Sequence, residues 1–474
     1  MKGSYDMKRS SGWYKTLAVM TALVLVVGAC GSTAAPSTGG ASAATSAAPS
    51  AAAASVAPAA SASAAAVNAC GDGAVALSIW GGYPELDPVF KKAGEAYKAL
   101  HPNVDLTVFS TDLRGFEQKL TTALPSGTGG DIIVRTPNFL SRFIDQNLMA
   151  PLPDDLATFV KGGAYDPTFV TDSTVNGKLW SVPLFSGGTA IYYNKDMLAE
   201  ANVTPPTTME ELFAAAKKLA KLDASGAVVR SGQSLRLSGQ GSGVAEKFWI
   251  LLLQYGRTLI KETSPGKWAA DFNGPEGVKL FQTYVDFLQN KVDSLNIDHD
   301  AKAFETKATA MFLREPWVIA EIAATAPDLL GKYGTISPPV GDLGGGEYMF
   351  VPTASKNQAC AWDFIKFMTA QEQQLSLATI AGWMPARVDL DLTEFLKANP
   401  TYEGFLKRPA GFKLTLTPPL PEFDEIETKL ATNLVAAYAD YANLAGQPDK
   451  IQALLNKWAD ETNQILKKNN HFGG

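Results

Sequence analysis

Three times between Val75 and Gln146 the chain follows a strand-like apolar run with an amphipathic helical one, and few folds accept that order. Val75–Trp80 predicts a buried strand, and Asp87-Pro88 predicts a helix N-cap followed by proline in the first turn. Phe90, Ala93, Tyr97 and Leu100 then put an apolar stripe at helical spacing. Val104–Phe109, Phe116–Leu124, Asp131–Val134 and Phe139–Gln146 continue as strand, helix, strand and helix. This order calls for a parallel, doubly wound sheet with helices on both faces, an α/β fold. Ligands of such sheets sit beyond the carboxyl ends of the strands, which places the turns Trp80–Glu85 and Arg135–Asn138 at a site.

Downstream the pattern turns helical. Thr207-Thr-Met-Glu-Glu211 holds two overlapping capping boxes, predicting a helix through Leu222. Helices are also expected at Phe248–Tyr255, Gly277–Gln289, Trp317–Ala324 and Ala361–Gln371, with a strand at Tyr348–Val351 and a mostly helical C-terminus.

Upstream the chain carries no pattern that could build a core. Residues 1–29 hold Lys2, Lys8, Arg9 and Lys15 against Asp6, and Leu17–Ala29 is an apolar run. Spanning a bilayer takes roughly 20 apolar residues, so the run is read as a signal-peptide h-region. Val27-Gly28-Ala29-Cys30 resembles the lipobox of bacterial lipoproteins, in which the cysteine is lipidated and anchors the mature chain to the outer face of the cytoplasmic membrane. The other reading is an ordinary secretory signal cut later, for instance after Ala35. Residues 30–70 have no charged side chain, and 16 of the 26 residues from Ala41 to Ala66 are alanine, which suits a tether with nothing to bury. Cys70 and Cys360 remain as a pair, joined by a disulfide or left as two thiols. From Cys30 onward, 37 Lys+Arg face 46 Asp+Glu without a basic stripe, which argues against nucleic acid as a partner.

Six short stretches carry a resemblance to the sugar-binding solute-binding proteins of ABC importers, the group that includes maltose-binding protein. In order they are Leu77-Ser-Ile-Trp-Gly-Gly-Tyr-Pro-Glu85, Gly130-Asp-Ile-Ile-Val134, Leu179–Phe185 with Ile191-Tyr-Tyr-Asn-Lys-Asp-Met-Leu198, Ala308-Thr-Ala-Met-Phe-Leu-Arg-Glu-Pro-Trp317, Ala361-Trp-Asp-Phe-Ile-Lys-Phe-Met368 and Gly382-Trp-Met-Pro-Ala-Arg387. Each is weak alone; together they span about two-thirds of the chain. The resemblance implies a two-lobed periplasmic-binding-protein-like fold of type II with a ligand cleft between lobes. One lobe would hold residues 71–183 and part of 339–385; the other would hold 184–338 and most of 386–474. Crossings are expected near Pro183–Thr189, Ser337–Gly344 and Gly382–Arg387, all rich in Gly, Pro or small residues. It further implies a monomer that captures a carbohydrate by lobe closure and delivers it to an ABC permease, without a cofactor.

Sugar recognition needs flat rings for the C–H faces of the pyranose and planar polar groups for its hydroxyls. On the resemblance, Trp317, Trp383, Trp80 and Trp249 are candidate stacking rings, with core packing as the alternative for each. Tyr83, Glu85, Thr136 and Asn138 are candidate polar contacts at the two turns, Glu85, Thr136 and Asn138 having helix-end roles as alternatives. Ser186, Glu347 and Arg387 flank crossings, and the latter two would contact ligand or form hinge salt bridges. Trp180 and Trp362 read as core, and Trp458 packs a C-terminal helix. Arg135-Thr-Pro-Asn138 departs from the paired acids and arginine of the maltose binders, which leaves the particular sugar open; the alternative to a sugar is a polyamine, peptide or phosphate ester.

An enzyme is the competing reading. The histidines His101, His299 and His471 sit in no metal-ligand spacing, Gly239-Gln-Gly-Ser-Gly243 lacks the geometry of a nucleophile elbow, and Ser126-Gly-Thr-Gly-Gly130 precedes a strand rather than a helix. Asp298-His-Asp300 reads as a solvated loop rather than a metal site. A glycosidase needs only two carboxylates, so that class stays open.

Overall fold

The computed structural model describes residues 68–239, 241–298 and 301–474. The signal segment, Cys30, the tether up to residue 67, and His299 and Asp300 lie outside the described residues.

β1 (Val75–Gly81) pairs in parallel with β2 (Val104–Ser110) and β3 (Ile132–Arg135), as the alternation predicts. α1 (Asp87–Leu100) turns Val89, Phe90, Ala93 and Tyr97 inward. A Cβ on Gly94 would stand 2.8 Å from Leu106 Cδ2, so glycine lets α1 lie close on β2. Asp87 does not cap α1. A 3₁₀ turn at Pro84–Leu86 starts the helical path earlier, and Asp87 becomes its first α-helical residue. α2 (Leu113–Ala123) is capped by Asp112, whose side chain accepts from Gly115 N–H at 2.9 Å. α3 (Pro137–Asp145) opens on proline, where the missing N–H costs nothing.

The strand Gly346–Pro352 is inserted antiparallel between β3 and the strand Val182–Ser186, beside which lies Met384–Pro385. Cys70 and Cys360 are disulfide-bonded, which ties the start of the described chain to the helix Gln358–Met368. Closing a loop of 290 residues removes denatured-state entropy worth on the order of 5 kcal/mol in the chain-entropy picture.

The rest of the chain builds a second, mainly helical half. A small antiparallel sheet runs Met311–Arg314, Ala190–Asn194, Tyr333–Ile336. Around it Phe248, Trp249, Phe281, Tyr284, Tyr438 and Trp458 form an aromatic core, with the Tyr284 and Tyr438 rings stacked at 5.1 Å. The helix Met209–Leu219 is capped as the sequence implies: Thr208 Oγ1 accepts from Glu211 N–H, and Glu211 Oε2 accepts from Thr207 N–H in return; it stops at Leu219, short of the expected Leu222, which lies in the short strand Lys221–Leu222. The chain passes between the two sheets at residues 187–189 and 337–345, and again after Met384–Pro385.

Candidate ligand cleft

Between the halves lies a cleft of about 310 Å³. Its floor is backbone. The Gly187 N–H donates to the Gly345 carbonyl at 2.7 Å, and a Cβ on Gly346 would stand 1.9 Å from the Phe185 carbonyl oxygen. Only glycine permits that approach. Asp342 holds the two passages together: it is fully buried, accepts from Thr189 Oγ1 at 3.0 Å and from Leu343 N–H at 2.8 Å, and faces Arg408 Nη2 at 3.8 Å. Burial pushes its carboxyl upward, against the pull of Arg408 and these donors.

The wall on the large-sheet side is aromatic. Trp383 stacks on Phe185 at 4.6 Å, and Tyr83 meets Trp383 edge-on at 6.0 Å and Phe185 at 5.8 Å. Trp383 stays half-buried, its indole N–H 3.3 Å from Glu85 Oε1. Behind these rings runs a buried charge chain. Arg135 donates to Glu117 Oε1 at 2.5 Å and to Glu347 Oε1 at 2.8 Å, and the Tyr83 hydroxyl donates to the same Glu347 oxygen at 2.8 Å. Burial raises the Glu347 carboxyl above its usual range, while Arg135 and Tyr83 oppose it. Burial also holds Tyr83 far above an ordinary phenol, so it serves as a donor. Glu347 Oε2 and Arg135 Nε are buried without a hydrogen-bond partner, one acceptor and one donor left over.

The opposite wall comes from the helix Gly243–Leu253 and the end of the strand Met311–Arg314, and presents Glu246, Ile250 and Glu315. Lys247, only 3% exposed, donates to Glu246 Oε1 at 2.6 Å and to Glu315 Oε1, and Arg314 reaches Glu315 Oε2 at 2.9 Å. Burial works against the Glu315 charge, but Lys247 and Arg314 outweigh it and hold the carboxyl down at about 2. At the mouth, Arg114 of α2 reaches across to Asp424 of the helix Phe423–Ala439 at 3.4 Å.

Of the residues singled out in the sequence, Tyr83, Thr136, Glu347 and Trp383 line the cleft, and Glu85 touches it through Trp383. The others lie elsewhere. Trp80 packs on Phe109 at 4.9 Å beneath Gly130, with Lys119 Nζ 4.8 Å from its ring. Asn138 is exposed on the first turn of α3. Trp249 is 1% exposed in the helical core, its indole N–H bonded to Thr258 Oγ1 at 2.8 Å, so that position is corrected from cleft to core. Trp317 is half-buried under Arg314, outside the cleft lining. Its backbone presses on Gly382, where an added Cβ would be 3.0 Å from Trp317 Cα and φ is +74°. Ser186 and Arg387 face a separate cavity of about 340 Å³, lined also by Phe405 and Phe412. Arg387 forms its ion pair with Asp389 at 2.8 Å rather than at the hinge, and Glu347 is paired with Arg135. Trp362 and Trp458 are buried as expected; Trp180 is half-buried and donates to the Val175 carbonyl.

Sequence reasoning placed the Arg135–Asn138 turn at the site without giving Arg135 a role, and passed over Phe185, Glu246, Glu315 and Asp342. One signal was available: Glu246-Lys247 is a charged pair inside an otherwise apolar helix, and a charge there needs a partner. Among the described residues, Cys70, His101 and Asp363 form a group with metal-ligand atoms within 4.8 Å of one another. The disulfide to Cys360 takes the thiolate a metal would need.

Comparison with known proteins agrees with this architecture. Residues 92–404 match the family model of the bacterial extracellular solute-binding proteins. A relative from Brucella abortus is 25% identical over 394 residues, covering 80% of this chain and 90% of its own. The diacetylchitobiose binding protein DasA of Streptomyces coelicolor is 24% identical over 326 residues, 66% of this chain and 72% of that one. Among solved structures, the sugar-binding protein MalE of Xanthomonas citri superposes with a TM-score of 0.69 at 19% identity, covering 83% of this chain and 98% of the other. The fold is thus the two-lobed, type II form of the periplasmic binding proteins.

Proposed function

The chain belongs to the bacterial extracellular solute-binding proteins, and we propose that it captures a carbohydrate in this cleft and delivers it to an ABC permease. The observation that carries the reading is the Trp383–Phe185–Tyr83 wall facing a rim of carboxylates and Arg135. Rings supply an apolar face for the sugar's C–H bonds, and fixed charged groups take its hydroxyls in directed hydrogen bonds. The glycine floor gives both halves a place to rotate, and closure would bring Glu246 and Glu315 onto a sugar resting on Trp383. The relatives named for sugars, DasA and MalE, lend the same direction.

The protein works outside the cytoplasm, as its family does, and no described helix is long and apolar enough to cross a membrane. We further read residues 1–29 as an export signal, Cys30 as the lipidated anchor, and residues 30–70 as the tether of a monomeric receptor, with the lobes divided as the sequence implies. The relatives are binding proteins, and catalysis forms no part of this account.

A thermal-shift screen over mono- and oligosaccharides tests the solute class, because a ligand that binds only the folded state raises the melting temperature. At least one saccharide should raise it by several degrees. A shift with peptides or phosphate esters and with no sugar would overturn the reading.

A further inference from the structure

The hinge has open space on both of its faces. In the strand Val182–Ser186, Phe185 lines the cleft while the next residue, Ser186, lines the cavity of about 340 Å³, because successive strand side chains point to opposite faces. Across that cavity Asp166 and Phe169, from the large-sheet half, face Phe405, Leu406 and Phe412 from the helical half. Packed side chains therefore lock neither face of the hinge, and its angle depends on what bonds the passages to one another.

Those bonds converge on Arg408. Its segment is seated on the helical half: the Gly404 N–H donates to Thr335 Oγ1 at 3.0 Å, and a Cβ on Gly404 would stand 2.5 Å from the Ile336 nitrogen. From there Arg408 Nη1 donates to the Thr189 carbonyl of the first passage at 3.2 Å and to Ser337 Oγ of the second at 3.2 Å. Arg408 Nη2 faces Asp342, also of the second passage, at 3.8 Å, and the guanidinium lies 4.7 Å from the centre of the Phe412 ring. Gly188 runs between the two charges: a Cβ there would stand 2.6 Å from Arg408 Nη2 and 3.3 Å from Asp342 Oδ2. The second passage is in turn fixed to the charged wall of the cleft. Gln254, at the end of the helix that carries Glu246, accepts from the Val340 N–H at 2.9 Å and donates to the Gly341 carbonyl at 2.7 Å.

We propose that Arg408 is a positioning residue for solute capture: it bonds both passages and so limits how far the halves swing apart in the free protein. This deepens the carbohydrate reading and rests on it. Arg408 lies outside the cleft lining, on the cavity side, so it acts through the hinge and not on the solute. A guanidinium presents several donors in one rigid fork, which suits it to hold acceptors on two segments at once; a lysine ammonium is a point charge on a flexible stem. Without the fork the free protein samples wider angles. Less of it is then poised to close, and apparent affinity drops by that fraction.

The test uses the full chain and the saccharide that most raises its melting temperature. Calorimetric titration gives the affinity, and small-angle X-ray scattering gives the radius of gyration with and without that saccharide. Arg408→Gln should bind about tenfold weaker, as when the fraction poised to close falls to about a tenth. Its free radius should exceed the parent's, while the saccharide-bound radii agree. Arg408→Lys keeps the charge and should fall between parent and Gln variant in both readouts; it decides alone if the Gln variant does not melt cooperatively. Trp383→Ala is the contrast, binding weakly at the parent's free radius. Parent-like or tighter binding by the Arg408 variants, or weaker binding with a free radius no larger than the parent's, would overturn the inference and leave the carbohydrate receptor in place. Failure of the parent to bind any saccharide would overturn the carbohydrate reading instead, and the free radii would still decide whether Arg408 limits the hinge.

Discussion

The two walls of the cleft solve opposite problems. On the large-sheet side, rings meet solvent and the charges are hidden: Arg135, Glu117 and Glu347 are neutralised behind Tyr83 and Trp383. On the helical side, carboxylates face the cleft and the apolar core lies behind them, with Lys247 as a buried counter-ion. The first wall is suited to hold a ring of any sugar, whereas the second is suited to discriminate. Stability and recognition are therefore separable on the aromatic side and entangled on the charged one.

The largest expected effect breaks the charged wall. Lys247→Ala strips Glu315 and Glu246 of their cation and should cost about 3–5 kcal/mol, as removing one partner of a buried ion pair does. Denaturant unfolding checks it; a loss under 1 kcal/mol would mean that Arg314 alone holds Glu315. Next comes the aromatic wall. Trp383→Ala should weaken sugar binding by about 30- to 100-fold while moving stability by less than about 1.5 kcal/mol, because the ring is half-buried. Titration alongside melting separates the two readouts.

A third effect concerns pH. Burial, with the charges of Glu246 and Asp424, raises the Glu427 carboxyl to about 8, so between its unfolded value near 4.5 and pH 8 the folded state keeps a proton that the unfolded state has released. Stability should therefore fall as pH rises through that window and level off above it. Glu427→Gln should flatten the fall and leave the protein more stable than the parent above pH 8. Identical pH profiles for the two proteins would show that the carboxyl is not held up. The smallest effect lies at the mouth. The Arg114–Asp424 contact is exposed on both sides, and Arg114→Ala should change affinity by no more than about threefold.

The same contrast explains what could be read from the sequence. β1–β3 and α1–α3 repeat a local period, so residues near in sequence announce them. The strand Gly346–Pro352, wedged between β3 and Val182–Ser186, joins segments more than 150 residues apart, and no local period reports such a pairing. Trp383 stood on a short crossing where any large ring must face something, so its candidacy was legible. Trp249 was not: the helix Gly243–Leu253 is apolar on nearly every side, and periodicity cannot say that Ile250 lines the cleft while its neighbour Trp249 lies in the core. Arg135 and Glu347 are 212 positions apart, and their pairing exists only once the antiparallel insertion has formed. The bond between Cys70 and Cys360 was an open alternative for the same reason of distance.

The central claim is that the cleft, and not another cavity, holds a sugar on the Trp383 face. A crystal structure of the protein with the saccharide that most raises its melting temperature tests this directly. The account predicts a pyranose lying flat on Trp383, with Glu246 or Glu315 in hydrogen-bond contact. A saccharide seated instead in the cavity of Ser186 and Arg387, with the Trp383 face bare, would contradict it.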